Sequence, residues 1–141
     1  MIHERVSSRN LEEISADFPR VAQRLGLIYL GTHNIKGYML SNGLVMRGEH
    51  VVFEFSYPPA VLATLEHIPA MACLIPGRVA VFVQNGDTHV STYLATEVVR
   101  RARLPASARA AQLKVALGYD RILRRLVSAL CSRALRPAAK S

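Results

Sequence analysis

Ser56 follows the apolar run Val51-Val52-Phe53-Glu54-Phe55 and precedes Tyr57-Pro58-Pro59. A strand end entering a helix is a place where a nucleophile can stand. Its neighbours are Phe55 and Tyr57, so the G-x-S-x-G elbow of a hydrolase serine is missing. The alternative role for Ser56 is to cap the helix begun at Pro58. His67, Met71 and Cys73 stand close together downstream. Imidazole, thioether and thiolate can all ligate haem iron; the alternative is that Met71 and Cys73 fill the core. Arg78 opens the run Val79-Ala80-Val81-Phe82-Val83. A guanidinium fixed there grips a carboxylate or phosphate bidentately, or pairs within the body with Glu54 or Glu66. The five histidines (His3, His33, His50, His67, His89) include no i, i+4 pair around a Glu of the kind a zincin needs. Cys73 and Cys131 form neither CxxC nor a Cys/His zinc spacing. No catalytic residue is assigned. Ser56, Tyr57, His67, Met71 and Arg78 are the candidate ligand-binding set.

These residues sit within an alternation of helical and strand patterns. Leu11, Ile14, Phe18, Val21, Ala22 and Leu25 recur at helical spacing, with Gly26 after them as a C′ residue. Pro19 predicts a kink, or a shorter helix capped by Asp17. Leu27–Thr32 predicts a strand, and Ser41-Asn42-Gly43 a turn between two short strands. Val51–Phe55 predicts a strand, followed by a helix whose first turn holds Pro58. The strands either side of Asn85-Gly86-Asp87 form the clearest hairpin. Thr96 predicts the cap of a short helix running to about Arg103, closed by Pro105. A helix over Ala106–Leu117, a break at Gly118 and a second helix over Tyr119–Leu135 complete the chain.

Charge divides the sequence. Residues 1–99 hold 7 Lys+Arg and 9 Asp+Glu, a net of −2; residues 100–141 hold 11 Lys+Arg and only Asp120, a net of +10. On a wheel of about 100° per residue, Tyr119, Ile122, Leu123, Leu126 and Leu130 share a face opposite Arg121, Arg124 and Arg125. Such a helix docks on the body or on a second subunit, or lies on an anionic membrane surface. Arg121, Arg124, Arg125 and Leu126 are the candidate partner-binding residues. Nucleic acid is a further candidate for the charge, but the zinc-finger spacing and RNP aromatics of specific readers are missing. Half of the 141 residues are hydrophobic and a fifth are charged, which excludes a disordered chain, a collagen repeat or a disulfide scaffold. No apolar run reaches the roughly 18 residues of a spanning helix. The opening Met1-Ile2-His3-Glu4-Arg5 lacks a signal-peptide h-region. Cytoplasmic residence is expected, with peripheral attachment at the inner membrane face open through the tail.

Between Val51 and Tyr93 the order of features resembles the DUF302 family, also called TT1751-like. That family has a strand entering a Cys-Asn-Pro or Gly-Asn-Pro step, then a short helix, then a Leu-Pro-Cys-Arg-Val-Ala-Val strand before a hairpin. Here the first motif stands as Ser56-Tyr57-Pro58 and the second as Ile75-Pro76-Gly77-Arg78-Val79-Ala80-Val81. The resemblance spans residues 8–95. It implies a small α+β domain, a mixed sheet backed by helices, which self-associates as a homo-oligomer. Many relatives carry cysteine in these motifs, whereas this chain has Ser56 and Gly77. Lys36–Glu49 is shorter than the helix-containing stretch of the family. The expected organisation is a domain over 1–103 and a basic amphipathic helical extension over 104–141. The expected function is that of a non-enzymatic accessory or small-ligand-binding domain docked by its tail on an acidic protein or membrane surface. The alternatives are a redox or small-molecule enzyme holding haem or another cofactor near His67 and Arg78, and a nonspecific nucleic-acid arm.

Overall fold

In a computed structural model, which describes residues 2–133, alternating patterns in the chain become five strands that form one sheet. The strands are β1 (Ile2–Ser7), β2 (Ile28–Asn34), β3 (His50–Ser56), β4 (Gly77–Gln84) and β5 (Asp87–Tyr93). Their order is β1-β5-β4-β3-β2, and every pairing is antiparallel. The α+β class is as expected, but the sheet is antiparallel rather than mixed. The reason is connectivity: β4 and β5 form a hairpin, and β1 returns beside β5 from the N-terminus rather than through a parallel crossover. β1 is not anticipated by the sequence pattern. As an edge strand it exposes four of its six residues, so it lacks the alternation that marks a half-buried strand.

On β3, Val51, Phe53 and Phe55 turn inward while the residues between them are half-exposed. Val79 and Val81 do the same on β4, and Val90 on β5. Against this face lie α1 (Leu11–Arg24) and α5 (Ala106–Cys131). Ile14, Phe18 and Ala22 of α1 are fully buried, as are Leu123, Leu126, Val127 and Leu130 of α5. The Phe18 ring stacks on Phe53 with centroids 4.5 Å apart.

Several local expectations change. Helix α1 runs unbroken through Pro19, capped by the Asn10 side chain, which accepts from the Glu13 amide at 2.8 Å. Asp17 is not a cap; it accepts from Arg9 and Arg20. Between β2 and β3 the chain forms α2 (Ile35–Ser41), capped by Asn34, where a turn between two strands was expected. The glycines at 37 and 43 mark the first turn and the exit of that helix rather than a hairpin. Downstream come α3 (Pro58–Leu65), a 3-10 segment (Pro69–Leu74) and α4 (Ala95–Arg101).

The C-terminal segment departs most from expectation. Gly118 interrupts nothing, since α5 is one helix of 26 residues; it ends at Cys131, before the expected end near Leu135, a residue that lies outside the described ones. The apolar stripe of α5 joins the same buried cluster as α1 and the sheet. The boundary expected at residue 103 therefore separates no second core among the described residues. With Leu126 fully buried, this stripe has no apolar face left to lay on a membrane or partner. No helix among the described residues is long and apolar enough to cross a membrane.

Candidate functional site

At one end of the sheet β3 finishes, β4 begins and β5 finishes. There α3, the 3-10 segment, α4 and α5 leave a half-open cleft of about 70 Å³. Proline fixes the local turns: Pro58 starts α3, as expected of a residue with no amide hydrogen to leave unbonded, and Pro69 starts the 3-10 segment. The walls are mainly aliphatic, with Val61, Ile75 and Val99 among them. Polar groups come from Ser56, Tyr57, Thr64, Tyr93, Gln112 and Tyr119, and no Asp, Glu, Lys, Arg or His lines the space.

Each polar group has a distinct capacity. The Tyr93 hydroxyl donates to the Leu74 carbonyl at 3.3 Å. The Gln112 amide nitrogen donates to the Thr64 hydroxyl at 2.7 Å, tying α5 to α3 with both residues buried. The Tyr119 ring stacks parallel to Tyr57 with centroids 5.9 Å apart. Its hydroxyl lies against Gly77, in the space a Cβ at that residue would occupy. Burial raises the Tyr119 phenol far above its usual range, and the neighbouring Tyr93 and Asp120 push it the same way. Tyr93 is raised by burial as well, against an opposing effect of Arg78. Both phenols are therefore neutral donors or acceptors throughout the ordinary pH range.

Of the expected ligand-binding residues, Ser56, Tyr57 and Met71 meet in this cleft. Ser56 does not cap α3: Tyr57 is the N-cap residue and no side chain bonds the helix start. His67 is not part of the cleft. It is exposed beyond α3, with Nδ1 3.1 Å from the Ala63 carbonyl oxygen, because the chain turns outward between α3 and the 3-10 segment. Cys73 is exposed, so His67, Met71 and Cys73 form no common ligand set. Among the described residues no group of three or more His, Cys, Asp or Glu side chains could hold a metal. Arg78 projects from the other face of the sheet from Val79, and donates from Nε to Glu54 at 3.2 Å. His33 reaches the second oxygen of Glu54 at 3.1 Å. Bonds from His33 and Arg78 hold that carboxyl below the usual range against some desolvation. Of the two internal partners open to Arg78, Glu54 is the one it takes.

Three contributors escape the sequence pattern. Tyr93 and Gln112 are distant from the motif residues and meet them only through the fold. Asp120, the one acid of the basic segment, is buried and turned toward α4. Its carboxylate accepts from the Ala95 amide at 2.6 Å and the Thr96 hydroxyl at 2.5 Å. This does the work expected of Thr96 as a cap. Arg121, Arg124 and Arg125 remain exposed on the outside of α5.

An antiparallel sheet with two helices on one face, and an uncharged cleft where the two proline-containing motifs converge, defines a small α+β domain. The chain belongs to the DUF302 family, a domain of unknown function, which it matches over residues 3–129. The match extends through most of α5, well past the residue 95 limit of the sequence resemblance. The crystal structure of an uncharacterised DUF302 protein from Bacillus stearothermophilus superposes with a TM-score of 0.81 at 16% identity, covering 93% of this chain and 98% of that one. At that identity the likeness establishes the fold. No functionally curated protein matches the chain.

Proposed function

We propose that the protein is a non-enzymatic binding domain for a small molecule and that the cleft between α3 and α5 is its site. The carrying observation is the convergence of both motif segments, through Ser56 and Gly77, on a concave space lined by apolar groups and a few unionised polar ones. That is the usual constitution of a ligand pocket. Neither a nucleophile–base pair nor a carboxylate lines it, so the polar groups serve to orient a ligand. Ala60, half-buried on α3, faces the space, and Ala60→Trp fills it. Native mass spectrometry is run on both proteins after equilibration with a small-molecule cell extract. Added mass on the wild type that the variant lacks supports the reading, and identical spectra overturn it.

The outside of α5 supports a second role, docking on an acidic protein surface. Lys114, Arg121, Arg124 and Arg125 are exposed there, and none forms an ion pair among the described residues. With Asp120 turned inward, α5 itself places no acid among them. A protein partner fits better than a lipid surface because the apolar stripe an interfacial helix inserts is spent on the core. Binding to a polyglutamate peptide is expected to weaken steeply between about 50 and 200 mM salt and to vanish in Arg121→Glu/Arg125→Glu. Equal binding by that variant, or preference for phosphatidylglycerol vesicles, overturns this role.

A further inference from the structure

The polar groups of the cleft differ in what they have left to offer. Only one side-chain nitrogen or oxygen among the described residues, Nδ1 of His50, is both fully buried and without a hydrogen-bond partner. Tyr119 lines the cleft, and its hydroxyl forms no hydrogen bond with a described residue and is not among the fully buried, unpartnered atoms. The phenols of Tyr93 and Tyr119 are not equivalent, since the Tyr93 proton is already engaged by Leu74. Ser56, Tyr57 and Tyr119 thus line a largely apolar space with hydroxyls that bond to no described residue, and that of Tyr119 is packed against Gly77. Gly77 leaves its backbone bare beneath that hydroxyl, and Phe55 closes the other side: a Cβ at residue 77 would lie 2.8 Å from a Phe55 ring carbon.

Charge excludes several ligand classes. A phosphate or carboxylate entering the cleft would lose its hydration and meet no cation, because none lines the space. An ammonium would likewise meet no carboxylate. Burying an unpaired ion is costly, whereas a neutral oxygen needs a single good donor. We propose that the cleft takes an uncharged, mainly apolar molecule bearing a carbonyl-type oxygen, such as a ketone, ester or quinone, and that the Tyr119 hydroxyl donates to that oxygen. This deepens the small-molecule reading above and rests on it.

The test uses two neutral fluorescent probes of similar body. One is 6-propionyl-2-dimethylaminonaphthalene, which carries a ketone; the other is 2-dimethylaminonaphthalene, which does not. Both are expected to bind the full chain and to be excluded by Ala60→Trp. Tyr119→Phe is expected to weaken the ketone probe about tenfold, the size of one net hydrogen bond, and to leave the ketone-free probe unchanged. Unchanged binding of the second probe also verifies that the variant is folded. If both probes bind but Tyr119→Phe affects them equally or not at all, the assignment of Tyr119 fails while the pocket reading stands. If neither probe binds the wild type, both fail. Tighter binding of the anionic probe 1-anilinonaphthalene-8-sulfonate within the same cleft overturns the ligand class.

Discussion

The Tyr119 hydroxyl of α5 occupies the space where a side chain on Gly77, at the start of β4, would begin. Two segments more than forty residues apart in sequence are thus fitted to each other in the wall of the cleft. Gly77 has an ordinary backbone there, so its requirement is steric rather than conformational.

Gly77→Ala is accordingly expected to destabilise the fold by about 1–3 kcal/mol, the range for overpacking a dense interior. Adding Tyr119→Phe should recover only part of the loss, because the Phe55 ring still stands within 2.8 Å of the new methyl. Urea unfolding of the two variants measures both effects.

Asp120 binds the first turn of α4 through the Ala95 amide and the Thr96 hydroxyl. Asp120→Asn is expected to cost about 2 kcal/mol, since hydrogen bonds to a charged acceptor are among the stronger ones. Hydrogen exchange at the Ala95 and Thr96 amides should quicken more than elsewhere in the protein.

Removal of residues 104–141 is expected to unfold the domain. It deletes Leu123, Leu126, Val127 and Leu130, all fully buried, each worth roughly 1.5–3 kcal/mol. Their sum is comparable to the whole stability of an ordinary domain, about 5–15 kcal/mol. Circular dichroism and a urea titration of residues 1–103 decide the matter; a cooperative transition there would show that the body has a core without α5.

Burial alone would raise the Asp17 carboxyl, but bonds from Arg20 and Arg9 outweigh it and hold the group below its ordinary value. A carboxyl depressed in the folded state stabilises it above the unfolded value near 4. That contribution is lost as pH falls through the folded value. Asp17→Asn should therefore lower stability by about 1–2 kcal/mol at pH 7 and flatten its decline below about pH 5. Thermal melts between pH 7 and pH 3 measure both slopes.

Legibility in the sequence followed burial. Phe53, Phe55, Val79 and Val81 alternate because one face of their strands meets the core, and the period-2 pattern carried that information. The exposed residues of β1 had no such constraint. Neither had α2, whose Gly37 and lack of any buried residue left nothing to repeat. The amphipathic stripe of α5 was visible, but an apolar stripe does not state which surface covers it, and here that surface is the chain's own sheet. Ser56 and Tyr57 stand beside the motif residue Pro58, Met71 stands out for its thioether, and all three line the cleft. His67 and Arg78 are equally near in sequence, yet strand parity and the turn after α3 send them elsewhere. Gln112 and Tyr119 reach the cleft only because α5 folds back, which local pattern does not encode.

Amide chemical-shift mapping with acetophenone, a small neutral ketone, tests the central claim most directly. Saturable shifts are expected, confined to the segments around Ser56–Thr64, Met71–Gly77, Tyr93–Val99 and Gln112–Tyr119, which supply the cleft lining. Shifts centred on the opposite sheet face around Arg78 and Glu54, or none at millimolar ketone, would contradict it.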